Sequence, residues 1–245
     1  MNPRDVPVRH SSLKNMGKSP AHYYEALQST HKPTAAMLLG SAVHSLVLGG
    51  PTVVLFDGAE TRRGKRWDAF SADHSGCIAL TSDEYDRAQA CRDAIQADPN
   101  AVRVLQGDSE KVVNWDFGGR ACVSTLDVHN PGKWITELKT TISAKPSKFL
   151  YQARSLNYDS QLAYYDEAVG GVPDHYIVAV ETTAPFPVVV YRVATSTIEM
   201  GAALWRSWFE RLRVCEDSDD WPGYSRLIED LEFPQDEALE WGDTE

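Results

Sequence analysis

The first hundred residues carry a helical pattern of apolar and polar positions, and the middle of the chain changes to a strand pattern. Ser19-Pro20 opens the segment AHYYEALQ with proline at the first helical position, where its missing N–H leaves no hydrogen bond unmade. A second helix is predicted over roughly 35–48, AAMLLGSAVHSLVL, stopped by Gly49-Gly50-Pro51. Residues 57–76 are rich in charge and glycine and show no period, which predicts a mobile loop with a short helix near Trp67–Phe70. Thr81-Ser82-Asp83-Glu84 has the spacing of a helix cap. It opens a helix to about residue 97, closed by Asp98-Pro99-Asn100.

Lys111–Phe117, Arg120–Val128 and Lys133–Thr140 then read as three strands, separated by Gly118-Gly119 and by an Asn130-Pro131-Gly132 turn. Ser160–Val169 reads as a helix closed by Gly170-Gly171. Tyr176–Val180 and Val188–Val193 are two further strands, and Ile198–Val214 is an amphipathic helix with Met200, Leu204, Trp208 and Leu212 along one face. Trp115, Trp134 and Trp208 read as packing residues. Helices, a three-strand meander, a helix, two strands and a helix make an α/β domain with a mixed sheet. We expect one domain over 1–245: a mainly helical part over 1–100, a core over 101–215 and a surface-wrapping acidic extension over 216–245.

With 42% apolar residues over 245 positions the chain supports a core and is not globally disordered. No apolar run approaches the ~20 residues of a membrane span. The start, MNPRDVPVRH, lacks the apolar stretch of a signal peptide, and Cys77, Cys91, Cys122 and Cys215 show no C-x-x-C spacing. The expected compartment is a reducing cytoplasm. The net charge of −11 misleads, because residues 216–245 hold twelve acids and one base, Arg226. Residues 1–215 are neutral, residues 1–66 carry nine bases against four acids, and 138–158 holds Lys139, Lys145, Lys148 and Arg154 with no acid. An acidic tail thus conceals two basic segments, which permits a polyanionic partner.

The stretch STLDVHNPGKWITELKTT, 124–141, concentrates the chemistry. Alternation puts Glu137 and Lys139 on one face of their strand. Asp127 and Glu137 are equidistant from Gly132, so a symmetric turn sets them opposite each other, Cβ atoms ~4.5–5.5 Å apart. Two carboxylates that close repel unless a cation lies between them, and hard oxygen ligands favour Mg²⁺ or Mn²⁺. Lys139 would then orient a water and neutralise charge developing on a phosphate. A solvated hairpin with a Glu–Lys ion pair satisfies the same spacing. Judged alone, His44 and Tyr165 fit core packing, Glu110 a solvated strand edge, and Ser12 with Lys14 a helix cap.

Asp127 followed by Glu137-Leu138-Lys139 on a meander resembles the signature of the PD-(D/E)XK nuclease superfamily. Gly40-Ser41-Ala42-Val43-His44 resembles the upstream G-x-A-x-H helix motif of its RecB-like branch, and Gln161-Leu162-Ala163-Tyr164-Tyr165 the downstream Q-x-x-x-Y motif. Ser12-Leu13-Lys14, Ser19-Pro20-Ala21-His22, Trp221-Pro222-Gly223-Tyr224 and Leu231–Pro234 resemble the ends of RecE-type (exonuclease VIII-like) enzymes and their phage recombination relatives. The likeness runs in order over nearly the whole chain.

The resemblance implies a restriction-endonuclease-like core, a mixed central sheet flanked by helices. It implies Mg²⁺, with Mn²⁺ substituting, bound by His44, Asp127, Glu137 and the backbone carbonyl of Leu138, with Glu110 serving a second metal. Lys139 would assist the attacking water, Gln161 and Tyr165 would position the DNA strand, and Ser12 and Lys14 would hold a terminal phosphate. The implied activity is a DNA exonuclease acting 5′ to 3′ on linear double-stranded DNA ends, leaving 3′ single strands. Alternatives are a structure-specific or single-strand endonuclease, or a non-catalytic DNA-binding protein. A ring-shaped trimer or tetramer and a single-strand-annealing recombinase partner follow by resemblance, in a bacterial or phage-infected cytoplasm. The cysteine spacing does not match the iron–sulfur cluster of some RecB-like nucleases, so no cluster is expected. Two departures stand out: Leu126 where many relatives have proline, and Thr125 where RecE-type relatives often carry arginine.

Overall fold

The computed structural model describes residues 2–29, 32–57 and 61–232. The chain enters through α1 (His10–Leu13) and α2 (Pro20–Gln28); Ser19 caps α2, its Oγ accepting the His22 N–H at 3.3 Å. Arg9 stands at the N-cap of helix α1 without a side-chain hydrogen bond, Ser12 lies inside the helix, and of the expected capping pair Lys14 is the one that caps it, at the C-terminus, where its N–H donates to the His10 carbonyl. Helix α3 (Ala35–Leu48) starts at Thr34, whose Oγ1 accepts the Met37 N–H at 3.2 Å.

Strand β1 (Val53–Leu55) and β2 (Ile78–Leu80) form a small parallel pair that the sequence pattern did not reveal. Between them lies α4 (Gly64–Asp73), longer than the short helix expected around Trp67–Phe70. The cause is aromatic: Trp67 and Phe70 both pack on buried Phe56, with ring centroids 5.1 and 5.0 Å away, which gives a polar segment an apolar anchor. Residues 58–60 of the expected loop lie outside the described residues.

Helix α5 (Ser82–Ala97) opens on a capping box in which the Thr81 N–H donates to Glu84 Oε2 at 3.0 Å. As expected, α5 ends at Ala97 with Asp98 at its C-cap; Asp98 also begins a further short helix. Its Oδ1 accepts the N–H groups of Asn100 and Ala101, both at 2.9 Å, and starts α6 (Pro99–Val104).

The central sheet contains β3 (Asp108–Phe117), β4 (Arg120–Asn130), β5 (Trp134–Thr141), β6 (Asp174–Glu181) and β7 (Val188–Arg192), in that spatial order. Only β5 and β6 run parallel; the other neighbours are antiparallel. The parallel step requires a crossover, supplied by α7 (Pro146–Ser155) and α8 (Tyr158–Val169). Helix α9 (Thr195–Ser218) follows. The result is the mixed α/β architecture that the sequence predicts.

The sheet has a core on each face. Leu39, Val43, Ala88 and Ile95 of α3 and α5 pack against Leu138, Val178 and Val180. Leu13, Tyr23, Leu162, Tyr164, Trp205 and Phe209 of α1, α2, α8 and α9 pack with Leu126, Ile135, Ile177 and Ala179 on the other. The buried stripe of α9 is Ile198, Gly201, Trp205, Trp208, Leu212 and Cys215, in steps of three and four. The expected stripe of fours fails at Met200, which is 64% exposed, because four residues overshoot a 3.6-residue turn and the error accumulates. Trp115 and Trp208 pack in the second core, and Trp134 meets Tyr176 edge-on at 6.2 Å.

The acidic extension expected from residue 216 begins inside α9. Glu216 is held by Arg120 at 3.1 Å, Trp221 stacks on Tyr23 at 5.9 Å, and the Ala21 N–H donates to the Pro222 carbonyl at 3.0 Å. Through residue 222 this segment is structural. Residues 233–245 lie outside the described residues. Among the described residues no helix is long and apolar enough to cross a membrane.

Candidate active site

Strands β4 and β5 pair at only three positions, Val128 with Thr136, His129 with Ile135 and Asn130 with Trp134. This is the symmetric register about Gly132, and one more step would set Asp127 opposite Glu137. The ladder stops short of that step. The Leu138 N–H donates instead to Asp127 Oδ2 at 2.8 Å. Continued pairing would put Leu126 and Leu138 on one face, yet Leu126 lies in the α8–α9 core and Leu138 in the α3–α5 core. The strands therefore twist apart at Asp127, whose carboxylate occupies the opening between them and is not squarely opposed to Glu137.

On the other side of β4, the pairs Ser109–Val128 and Lys111–Leu126 bracket Glu110, which thus sits across from Asp127. Glu110 has φ of 49°, a left-handed conformation that disfavours a side chain by roughly 1–2 kcal/mol. The third contributor is α3. A Cβ at Gly40 would lie 3.1 Å from Thr140 Oγ1, so glycine lets this helix approach β5 closely. His44, one turn later on the same face, places Nδ1 3.5 Å from Asp127 Oδ1. One ligand atom from each of His44, Glu110 and Asp127 lies within 4.8 Å of the others.

Glu137 stands beside this group with a different set of partners. It is 1% exposed. Its Oε2 accepts from Lys139 Nζ at 2.6 Å and from Gln161 Nε2 at 3.0 Å, while Oε1 is buried with no hydrogen-bond partner. Gln161 Nε2 also donates to the Tyr165 hydroxyl at 3.1 Å, so both residues of the helical motif reach the site through Glu137. Tyr165 packs at the edge of the α8–α9 core as well, which unites its two sequence readings. Lys139 Nζ sits 5.0 Å from the centroid of the Tyr158 ring. Tyr158 lies outside the sequence motifs that mark the site. The available signal was its helical spacing with Gln161 and Tyr165, three and seven residues on.

The electrostatics follow from burial and crowding. Burial, then the charge of Asp127, pushes Glu137 up to about 7 against the pull of Lys139. Burial also raises Glu110, again with help from Asp127. Burial alone would raise Asp127, but His44 and Lys139 outweigh it and hold its carboxyl low. Burial would lower His44 and Lys139, but Asp127 holds the imidazole above its ordinary range, and Glu137 with Asp127 holds the ammonium charged. Lys14 is lowered by burial and by Lys139, which brings the α1 end of the chain within the field of the site. Ser12 is half-buried in α1, and its carbonyl accepts from Asn15 Nδ2 at 3.1 Å.

Two carboxylates and an imidazole with converging ligand atoms, beside a buried carboxylate oxygen without a partner, fit a divalent cation.

The crystal structure of a "putative exonuclease" from Eubacterium rectale superimposes with a TM-score of 0.67 at 17% identity, covering 93% of this chain and 90% of that one. A phage related exonuclease from Haemophilus somnus 129PT aligns over 70% of this chain and 94% of its own, at 11% identity and a TM-score of 0.34. No curated protein matches. The first of these likenesses establishes a shared fold, and the chain's own sequence supplies the rest: residues 9–232 match the family described as "PDDEXK-like domain of unknown function (DUF3799)", so the chain belongs to that PDDEXK-like family.

Proposed function

We propose that this protein is a divalent-metal-dependent deoxyribonuclease that hydrolyses linear double-stranded DNA from its ends, 5′ to 3′, and leaves 3′ single strands for recombination. The observation that carries this reading is the convergence of His44, Glu110 and Asp127 within 4.8 Å, next to a buried Glu137–Lys139 pair. His44, Asp127, Glu137 through its unpartnered Oε1, and the Leu138 carbonyl would hold Mg²⁺ or Mn²⁺, with Glu110 available to a second ion. These residues would thereby bring Lewis acidity to the phosphate and to the attacking water near neutral pH.

The protein groups act around that centre. Glu137 fixes the Lys139 ammonium, which orients water and neutralises charge developing on the phosphate. Gln161 and Tyr165 position the strand being cut. Lys14 is a part-buried cation in the field of Lys139 with no carboxylate partner among the described residues. A terminal phosphate held by Lys14 and Ser12 would relieve the repulsion between the two ammonium groups. The name of the Eubacterium rectale structure supports end-directed cleavage. The family resemblance supports a trimeric or tetrameric ring around the duplex, an annealing recombinase as partner and a bacterial or phage-infected cytoplasm.

The test is digestion of 5′-labelled linear duplex in Mg²⁺, with a covalently closed circle and Lys139→Ala alongside. The expected result is loss of the linear substrate from its 5′ ends, an intact circle and an inactive variant. A cut circle would establish an endonuclease. Absence of cleavage in both Mg²⁺ and Mn²⁺ would refute the catalytic reading.

A further inference from the structure

Helix α7 lies between β5 and α8, the two elements that carry Glu137, Lys139, Gln161 and Tyr165. Its inner side is firmly anchored. Phe149 stacks on Tyr191 with ring centroids 4.9 Å apart and planes at 7°, and it meets Tyr158 at 6.2 Å. Gln152 Oε1 accepts from Thr141 Oγ1 at 2.7 Å. Tyr158 is the ring beneath Lys139, so two ring contacts connect α7 to the site.

The outer side has a different composition. Lys148, Tyr151 and Arg154 follow one another at intervals of three and share a face. All three are exposed, Tyr151 to 76%. Lys145, just before the helix, is exposed as well, and Ile142, three residues after Lys139, is 89% exposed. Among the described residues none of these three cations forms an ion pair, whereas Arg4, Arg62, Arg87, Arg92, Arg192 and Arg206 each face a carboxylate. No acid occurs between residues 138 and 158, so the segment itself supplies no neutralising charge.

We propose that this face is the track for an unpaired DNA strand leaving or approaching the site, with phosphates on Lys145, Lys148 and Arg154 and a base stacked on Tyr151. The proposal rests on the reading that the protein binds DNA, and it assigns the surface to single-stranded and not to duplex DNA. Unpaired cations in a row select a polyanion. An exposed ring between them offers a stacking platform, which only an unstacked base can use. The rigid anchoring of the inner side keeps ring and cations in register.

The experiment is fluorescence anisotropy of the full-length protein in EDTA, where no cleavage occurs, with a labelled oligothymidylate and with a blunt duplex. Tyr151→Ala is expected to weaken single-strand binding about 10- to 100-fold. Tyr151→Phe should retain it, and blunt-duplex binding should change less than twofold. Removing the charges of Lys148 and Arg154 together should reduce the slope of log affinity against log salt by about 1.4, at ~0.7 per phosphate contact on a single strand. Tyr151 is exposed, so thermal melting should be unchanged in its variants. Unaltered single-strand binding by Tyr151→Ala would overturn the proposal, as would equal losses on both substrates. A wild-type protein that cleaves while Tyr151→Ala binds single strands normally refutes the track alone. A protein that never cleaves but loses single-strand binding with Tyr151 refutes the nuclease reading alone.

Discussion

Replacing Lys139 with methionine separates two roles of the Glu137–Lys139 pair, the structural and the chemical. The ammonium and carboxylate are 2.6 Å apart, with side chains 16% and 2% exposed. At an effective dielectric of about 20 their attraction is about 6 kcal/mol. Removing each ion from water costs several kcal/mol, so the intact pair is worth little compared with two apolar groups of the same shape. Loss of one partner is another matter. In Lys139→Met, Glu137 keeps only the Gln161 hydrogen bond, still faces Asp127, and already has one unpartnered oxygen. The expected cost is about 3 kcal/mol, at the low end for a broken buried pair. For a chain of this length that lowers Tm by roughly 6–12 °C. Glu137→Gln should cost less, about 1–2 kcal/mol, because Lys139 keeps the field of Asp127 and the Tyr158 ring. The double variant, with glutamine and methionine, should match Glu137→Gln and give a coupling of about 3 kcal/mol. Urea unfolding in EDTA measures all four proteins, and DNA cleavage in Mg²⁺ is read in parallel. Cleavage should fall at least ~100-fold in both single variants and in the double variant. A Lys139→Met protein within about 0.5 kcal/mol of wild type would refute the electrostatic argument. A double variant that regains stability and still cuts DNA would refute the assignment of the site.

Three further outcomes are expected. Gly201→Ala in α9 should destabilise by a few kcal/mol although alanine is the better helix former by about 1 kcal/mol: its Cβ would lie 2.7 Å from Ser160 N and closer still to the Asp159 carbonyl, both backbone. A melt equal to or above wild type would contradict this, and because α8 carries Gln161 and Tyr165, cleavage should weaken too. His10, hydrogen-bonded to Ser160 Oγ at 2.8 Å, is lowered from 6.5 to about 3 by burial and then by Lys14 and Lys139. The unfolded chain therefore binds the extra proton, and this contribution to stability is complete above pH 6.5 and lost as pH falls towards 3. At ~1.4 kcal/mol per unit, wild type should lose about 2 kcal/mol more than His10→Gln between pH 7 and 5, and parallel stability profiles would refute it. Mn²⁺ added to metal-free protein at about 100 times its Kd should stabilise by about 2.7 kcal/mol, read as a rise in Tm; Asp127→Asn should abolish that rise, and an equal shift in the variant would place the ion elsewhere.

Several elements were legible because their signals are local. Ser19-Pro20, the Thr81–Glu84 capping box and the Asn130-Pro131-Gly132 turn each act over four residues or fewer, and the structure shows a helix start or hairpin at each. The β1–β2 pair was not legible, since three-residue strands more than twenty positions apart leave no pattern. Nor was the length of α4, which depends on Phe56 reaching Trp67 and Phe70 across the chain. The α7 segment showed in sequence only as a run of bases, and its helix is secured by Tyr191 from the remote strand β7 and by Thr141 at the end of β5.

The residue types of the site, the strand that carries Glu137 and Lys139 on one face, and the symmetric register about Gly132 follow from local pattern, because alternation and turn symmetry are properties of the local backbone. How those residues divide is set by packing between distant elements. The register stops at Val128–Thr136 because the Asp127 carboxylate takes the Leu138 N–H, and the strands part there. Glu110 joins His44 and Asp127 because β3 lies across from Asp127 and because Gly40 lets α3 press against β5. Glu137 faces Lys139 and Gln161 because α8 packs on the other side of the sheet. Such choices are made by packing between segments far apart in the chain, where burial and charge set which carboxylate is paired and which keeps a free oxygen.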